Sequence, residues 1–132
     1  MRYFLLVLLA LPLAAADPKL VERGKYLVEN VAMCGDCHTP KTDKGVLDRS
    51  KWLKGAVLDF QPLGAAPPNW KKTTPDLTAG SRLWVKWGDL SMLKYLTTGL
   101  TPKGEPSAPP MPAYKFNRAD AEAVLEYLKS IR

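Results

Sequence analysis

Cys34, Cys37 and His38 are the only cysteines and the only histidine in 132 residues, and they stand together as Cys34-Gly35-Asp36-Cys37-His38. This is the C-x-x-C-H pattern of covalent haem attachment. Its spacing has a physical cause: one helical turn lets two thiols reach two vinyl groups on a porphyrin, and the next residue offers an imidazole to the iron. Three other chemistries use such residues. A structural disulfide suits an oxidising compartment. A thioredoxin-like redox pair needs a βαβ setting, which the flanking sequence lacks. A closed zinc site wants about four Cys or His ligands, and only three are available. One covalent haem c fits the motif best.

A low-spin electron-transfer haem needs a second axial ligand. With no second histidine, methionine is the next choice, and it raises the reduction potential. Met1 belongs to the leader discussed below, Met33 adjoins Cys34 on the proximal side, and Met92 falls on an apolar helix face as core filler. Met111 remains, in Ala108-Pro109-Pro110-Met111-Pro112. Prolines on both sides stiffen the backbone and remove amide donors, so such a loop can hold a thioether at iron with little entropy to lose. Otherwise Met111 is a methionine in a Pro-rich surface turn. Buried propionates need hydrogen-bond donors, for which Arg49, Trp52 and Tyr114 are candidates; packing or surface exposure is the alternative role of each. Lys41, Lys44, Lys51 and Lys54 follow the attachment motif and would either steer an acidic partner toward a haem edge or form a solvated face.

The elements that position these groups are helical. Asp17 caps and Pro18 opens a helix predicted over residues 18–32, with Leu20, Gly24, Leu27, Val28 and Val31 on one face. Gly24 in mid-helix costs ~1 kcal/mol against alanine, which predicts a second helix crossing there. Its partner is a final helix from Arg118 to Ile131, capped by Asn117, with Ala121, Val124, Leu125, Leu128 and Ile131 as its stripe. A middle helix is predicted from Leu90 to Thr98, with Asp89 as cap and Gly99 as stop. Residues 39–86 show turn signals and no sustained period. A loop region that long argues against a small compact domain, unless a large apolar cofactor gives the loops something to pack on.

Residues 1–16 have the three parts of a secretory signal: Arg2, the apolar run Phe4–Leu13, and the small-x-small site Ala14-Ala15-Ala16. The run is too short to span a bilayer, and Asp17 in place of cysteine argues against a lipoprotein. The expected domains are therefore a signal peptide over 1–16 and one domain over 17–132, delivered to the periplasm. Loss of residues 1–16 removes Arg2 and no acid, so the formal charge falls from +6 to +5. That balance suits acidic protein partners better than nucleic acid, and no apolar run past the leader predicts a transmembrane helix.

This arrangement resembles class I cytochrome c, and more closely the mono-haem carriers and subunits that serve periplasmic dehydrogenases. The likeness rests on Arg23-Gly24-Lys25-Tyr26-Leu27-Val28, Cys37-His38-Thr39-Pro40-Lys41, Ser50-Lys51-Trp52-Leu53-Lys54-Gly55, Thr74-Pro75-Asp76, Pro110-Met111-Pro112-Ala113-Tyr114 and Ala123-Val124-Leu125-Glu126-Tyr127-Leu128. It implies an all-α fold with crossed N- and C-terminal helices, a middle helix and long loops packed round one covalent haem. Tyr127 and Leu128 would lie at the crossing, and Trp84 or Trp87 would precede the middle helix. Residues 59–73 match nothing in that pattern, and partner docking is one role for them. The implied function is one-electron transfer between a redox donor and acceptor, without catalysis. The alternatives are a fixed haem subunit of a dehydrogenase and an open-site haem sensor or peroxidase-like enzyme.

Overall fold

In a computed structural model, which describes residues 16–132, α1 (Pro18–Tyr26) begins at the predicted cap. The Asp17 carboxylate accepts from the Lys19 amide at 2.9 Å, which satisfies one of the donors a helix start leaves free. The expected helix over 18–32 does not stay α-helical throughout. Leu27–Val31 forms a π turn, in which the Ala32 amide donates to the Leu27 carbonyl at 2.8 Å. The wider turn moves the register by about one residue. Val31, expected on the apolar stripe, is 50% exposed, and Ala32 is buried at 8%. The expected leader over residues 1–16 falls, all but Ala16, outside the described residues.

α2 (Cys34–His38) is the short helix of the attachment motif, α3 runs from Arg82 to Thr98, and α4 from Arg118 to Ser130. α3 starts eight residues earlier than Leu90 because a first segment precedes a break at Gly88, whose φ of 67° and ψ of 170° interrupt the helix. Trp84 anchors that segment: its indole N–H donates to the Leu77 carbonyl at 2.9 Å, and the residue is buried. Asp89, expected as a cap, pairs with Lys129 of α4 at 3.1 Å instead. Gly99 stops the helix as predicted, with φ 74°.

α4 starts on Asn117, whose side chain accepts from the Asp120 amide at 2.9 Å. It buries Ala121, Ala123, Val124, Leu125, Tyr127 and Leu128, with Ile131 packed at the edge of the core. α1 and α4 cross at Gly24. A Cβ there would overlap the Ala123 carbonyl oxygen and sit 2.8 Å from the Tyr127 Cβ. Arg23 and Asp120 pair beside the crossing at 2.9 Å. Leu27, Val28, Val124 and Leu128 form one side of the core, and Met92 and Leu96 of α3 complete it.

No extended strand occurs among the described residues. Three isolated bridges, Lys41↔Leu47, Val57↔Thr73 and Leu100↔Pro106, close loops instead. The long connection between α2 and α3 carries its own anchor in Leu53, which is fully buried. The Leu53 amide donates to the Thr39 hydroxyl at 3.0 Å and its carbonyl accepts from the Leu77 amide at 2.9 Å.

Candidate haem site

His38 ends α2 and is 4% exposed. Its Nδ1 lies 2.8 Å from the Pro75 carbonyl oxygen. A carbonyl only accepts, so Nδ1 carries the proton and Nε2 carries a lone pair. That Nε2 is buried with no hydrogen-bond partner. A buried acceptor left unpaired costs about 1–3 kcal/mol, so the atom is suited to ligation. Burial lowers the imidazole pKa, opposed by the bond to Pro75, which keeps the lone pair free near neutral pH.

Cys34 and Cys37 are both partly buried and not bonded to each other. As free thiols both have raised pKa values, chiefly through desolvation, with Cys34 pushed up to about 11. Thiols held protonated in this way are poor exchange nucleophiles, which disfavours the dithiol-carrier alternative. Among the described residues no group of three His, Cys, Asp or Glu converges as a zinc site would require.

Cys34, Cys37 and His38 form part of the wall of a cavity of about 320 Å³. Leu77, Trp87, Met92 and Leu96 line it with apolar surface, and Met111 reaches it from the proline loop. Trp87 packs edge-on against Tyr95, another wall residue, at 5.2 Å between centroids. The Met111 amide donates to the Ala108 carbonyl at 3.2 Å. The Lys71 amide donates to the Pro109 carbonyl at 2.8 Å, so the segment 59–73 braces the methionine loop. Two thiols, an unpartnered imidazole nitrogen and a thioether around apolar walls fit a large flat macrocycle with a metal at its centre. A family model described as Cytochrome c matches residues 21–132. The chain belongs to the cytochrome c family.

Its all-α architecture is that of a class I cytochrome c, and its cofactor is the covalently attached haem c with which that family transfers electrons. Three relatives align over 115 residues, 83% of this chain. A diheme cytochrome c-type protein of Cereibacter sphaeroides is 33% identical, over 35% of its own length. The fructose dehydrogenase cytochrome subunit of Gluconobacter japonicus is 30% identical, over 21% of its length. A nicotinate dehydrogenase subunit of Pseudomonas putida is 29% identical, over 9% of its length. The chain thus spans about a third or less of these curated relatives.

Not every expected haem contact of this cytochrome comes to the cavity. Tyr114 does line it, but its hydroxyl donates to the Ala32 carbonyl at 2.6 Å while its ring stacks on Phe116. Arg49 and Trp52 are not wall residues. The Trp52 indole N–H donates to the Tyr127 hydroxyl at 3.1 Å, and the Arg49 guanidinium lies 4.1 Å over the Trp52 ring. Of the four lysines after the motif, Lys41 pairs with Asp59 at 2.6 Å and Lys51 with Asp48 at 3.6 Å. Lys54 donates to the Thr78 hydroxyl at 3.2 Å. Pro75 was legible as part of Thr74-Pro75-Asp76 in the family likeness, with no role assigned, because a backbone acceptor leaves no mark in residue type.

Proposed function

We propose that this cytochrome is an exported mono-haem electron carrier, with a signal peptide over residues 1–16 and a mature periplasmic domain over 17–132. Cys34 and Cys37 would take the two thioether bonds, and His38 and Met111 would ligate the iron. The observation that carries this reading is the buried, unpartnered Nε2 of His38, a wall residue of an apolar cavity that Met111 also lines. Once attached, haem c supplies a one-electron iron couple. The chain holds a neutral imidazole by its bond to Pro75 and restricts the thioether between prolines, so both ligands can stay in place through a redox cycle. Apolar walls exclude water, and no side chain is needed as acid, base or nucleophile. Cys37, only partly buried, marks an edge where a redox protein can approach. The expected charge of the mature chain supports an acidic face on donor and acceptor. The local partners of Lys41 and Lys51 make that attraction a property of overall charge rather than of a lysine ring.

The test is a pair of absorption spectra, oxidised and reduced, on protein exported with the haem-attachment machinery. Wild type is expected to show sharp reduced α and β bands and a weak far-red sulfur-to-iron band when oxidised. Met111→Ala is expected to lose that band, become high-spin and bind carbon monoxide. Carbon monoxide binding by wild type would instead establish an open-site haem protein. The dehydrogenase cytochrome subunit among the relatives favours a second reading, in which this chain is the electron-transfer subunit of a periplasmic dehydrogenase. Co-purification with a catalytic subunit would support that version, and a persistent monomer would exclude a stable complex.

A further inference from the structure

Three backbone segments meet behind His38, and one side chain ties them together. The last carbonyls of a helix have no partner within it, and both C-terminal carbonyls of α2 are met by loops. The His38 carbonyl accepts from the Gly55 amide at 2.8 Å. The Cys37 carbonyl accepts from the Thr74 hydroxyl at 2.8 Å. The same hydroxyl accepts from the Ala56 amide at 2.9 Å, while the Thr74 amide donates to the Ala56 carbonyl at 2.9 Å. Segments 37–38, 55–56 and 74–75 are thereby closed into a hydrogen-bonded ring. The packing at this junction is tight: a Cβ on Gly55 would lie 2.7 Å from the Thr74 carbonyl oxygen and 3.0 Å from the Pro75 carbonyl carbon.

Pro75 has no amide proton with which to fix itself. On its far side, the Asp76 carboxylate accepts from the Thr78 amide and hydroxyl, both at 2.7 Å. On its near side, the Thr74 hydroxyl is the side-chain tie to the attachment helix. We infer that Thr74 is a positioning residue: its hydroxyl holds the Pro75 carbonyl against His38 Nδ1 and so tunes how strongly that imidazole donates to iron. The inference rests on the reading of His38 as an axial ligand. An N–H···O=C bond at the remote nitrogen makes a ligating histidine more basic. A more basic imidazole favours the ferric state and lowers the potential. Loosening Pro75 therefore raises it.

The experiment compares holoproteins carrying Thr74→Val, Thr74→Ala and Thr74→Ser with wild type. The midpoint potential and the solvent exchange of the His38 Nδ1 proton, followed by NMR in the ferrous state, are measured on each. Valine keeps the shape of threonine and loses both hydroxyl bonds; serine keeps the hydroxyl and loses the methyl. The valine and alanine variants are expected to have raised potentials and Nδ1 protons that exchange roughly three- to tenfold faster, the equivalent of one net hydrogen bond. Serine is expected to match wild type. If only one of the hydroxyl-free variants accumulates, its values decide. Wild-type potential and exchange in a hydroxyl-free variant would overturn the inference, as would a serine variant shifted as far as valine. A wild-type spectrum without histidine-ligated haem would sink the functional reading itself, a result distinct from either.

Discussion

At the scale of single residues, the attachment helix is held by contacts that are not themselves haem chemistry. Trp52 lies against Gly35, where a Cβ would overlap the indole ring. The ring cannot easily retreat, because its N–H is bonded to Tyr127, whose hydroxyl donates to Glu29 at 2.6 Å. Burial first, then the bond to Glu29, pushes the Tyr127 pKa up to about 12, so it remains a donor across the neutral range. Gly35→Ala should therefore destabilise the holoprotein by ~1–3 kcal/mol, the usual cost of overpacking, despite alanine's better helix propensity. In a Trp52→Leu background the same change should cost less by at least ~0.5 kcal/mol. Denaturant titration of the four proteins checks this, and strictly additive effects would mean the ring is not the obstacle. What was legible at this scale followed from rarity: two cysteines, one histidine and one proline-flanked methionine. Thr74 and Pro75 stood in plain view within the family likeness, but their work is done through hydroxyl and carbonyl oxygens that any loop contains.

At the scale of elements, the clearest signal was an apparent defect. Gly24 sits in an otherwise regular stripe, and propensity alone would favour alanine there by ~1 kcal/mol. The crossing with α4 reverses that preference, because the added Cβ would run into the backbone of Ala123 rather than into a movable side-chain tip. Gly24→Ala should lower holoprotein stability by ~1–3 kcal/mol or more, whereas Lys25→Ala, one position along and exposed, should be near neutral. Equal stability for Gly24→Ala and wild type in thermal and denaturant unfolding would remove the close approach as the reason for the glycine. Periodicity located α4 almost to its ends, since its stripe and caps all agree. It failed at two places for local reasons. The π turn over Leu27–Val31 changes the period that the stripe count assumes, exchanging Val31 for Ala32. Ahead of Leu90 the helix was expected to be absent, but a further segment precedes the break at Gly88 and is held by the tertiary bond of Trp84 to Leu77.

At the scale of the molecule, the long loops predict that the cofactor is part of the core. The α1–α4 crossing and Leu53 give local anchors, but Leu77, Trp87, Met92 and Leu96 all face the cavity as well as the core. The cavity is partly open, so its volume of about 320 Å³ at the cost of a sealed core cavity, ~24 cal/mol per Å³, sets an upper bound of about 8 kcal/mol before any collapse. Small domains hold only about 5–15 kcal/mol in total, so a chain prevented from taking up haem should not keep these walls in place. The Cys34→Ala/Cys37→Ala double variant, purified without haem, should retain part of its helical far-ultraviolet dichroism from α1 and α4. It should lose near-ultraviolet dichroism, bind a hydrophobic dye and unfold without a sharp transition, the signature of a molten state. The loops over residues 39–81 should become the first sites of proteolysis, because their hydrogen bonds to α2 depend on its position. A haem-free variant that melted cooperatively within a few degrees of the holoprotein would show the opposite: that Leu53 and the helix crossing suffice, and that the cofactor is carried by the fold rather than being part of its core.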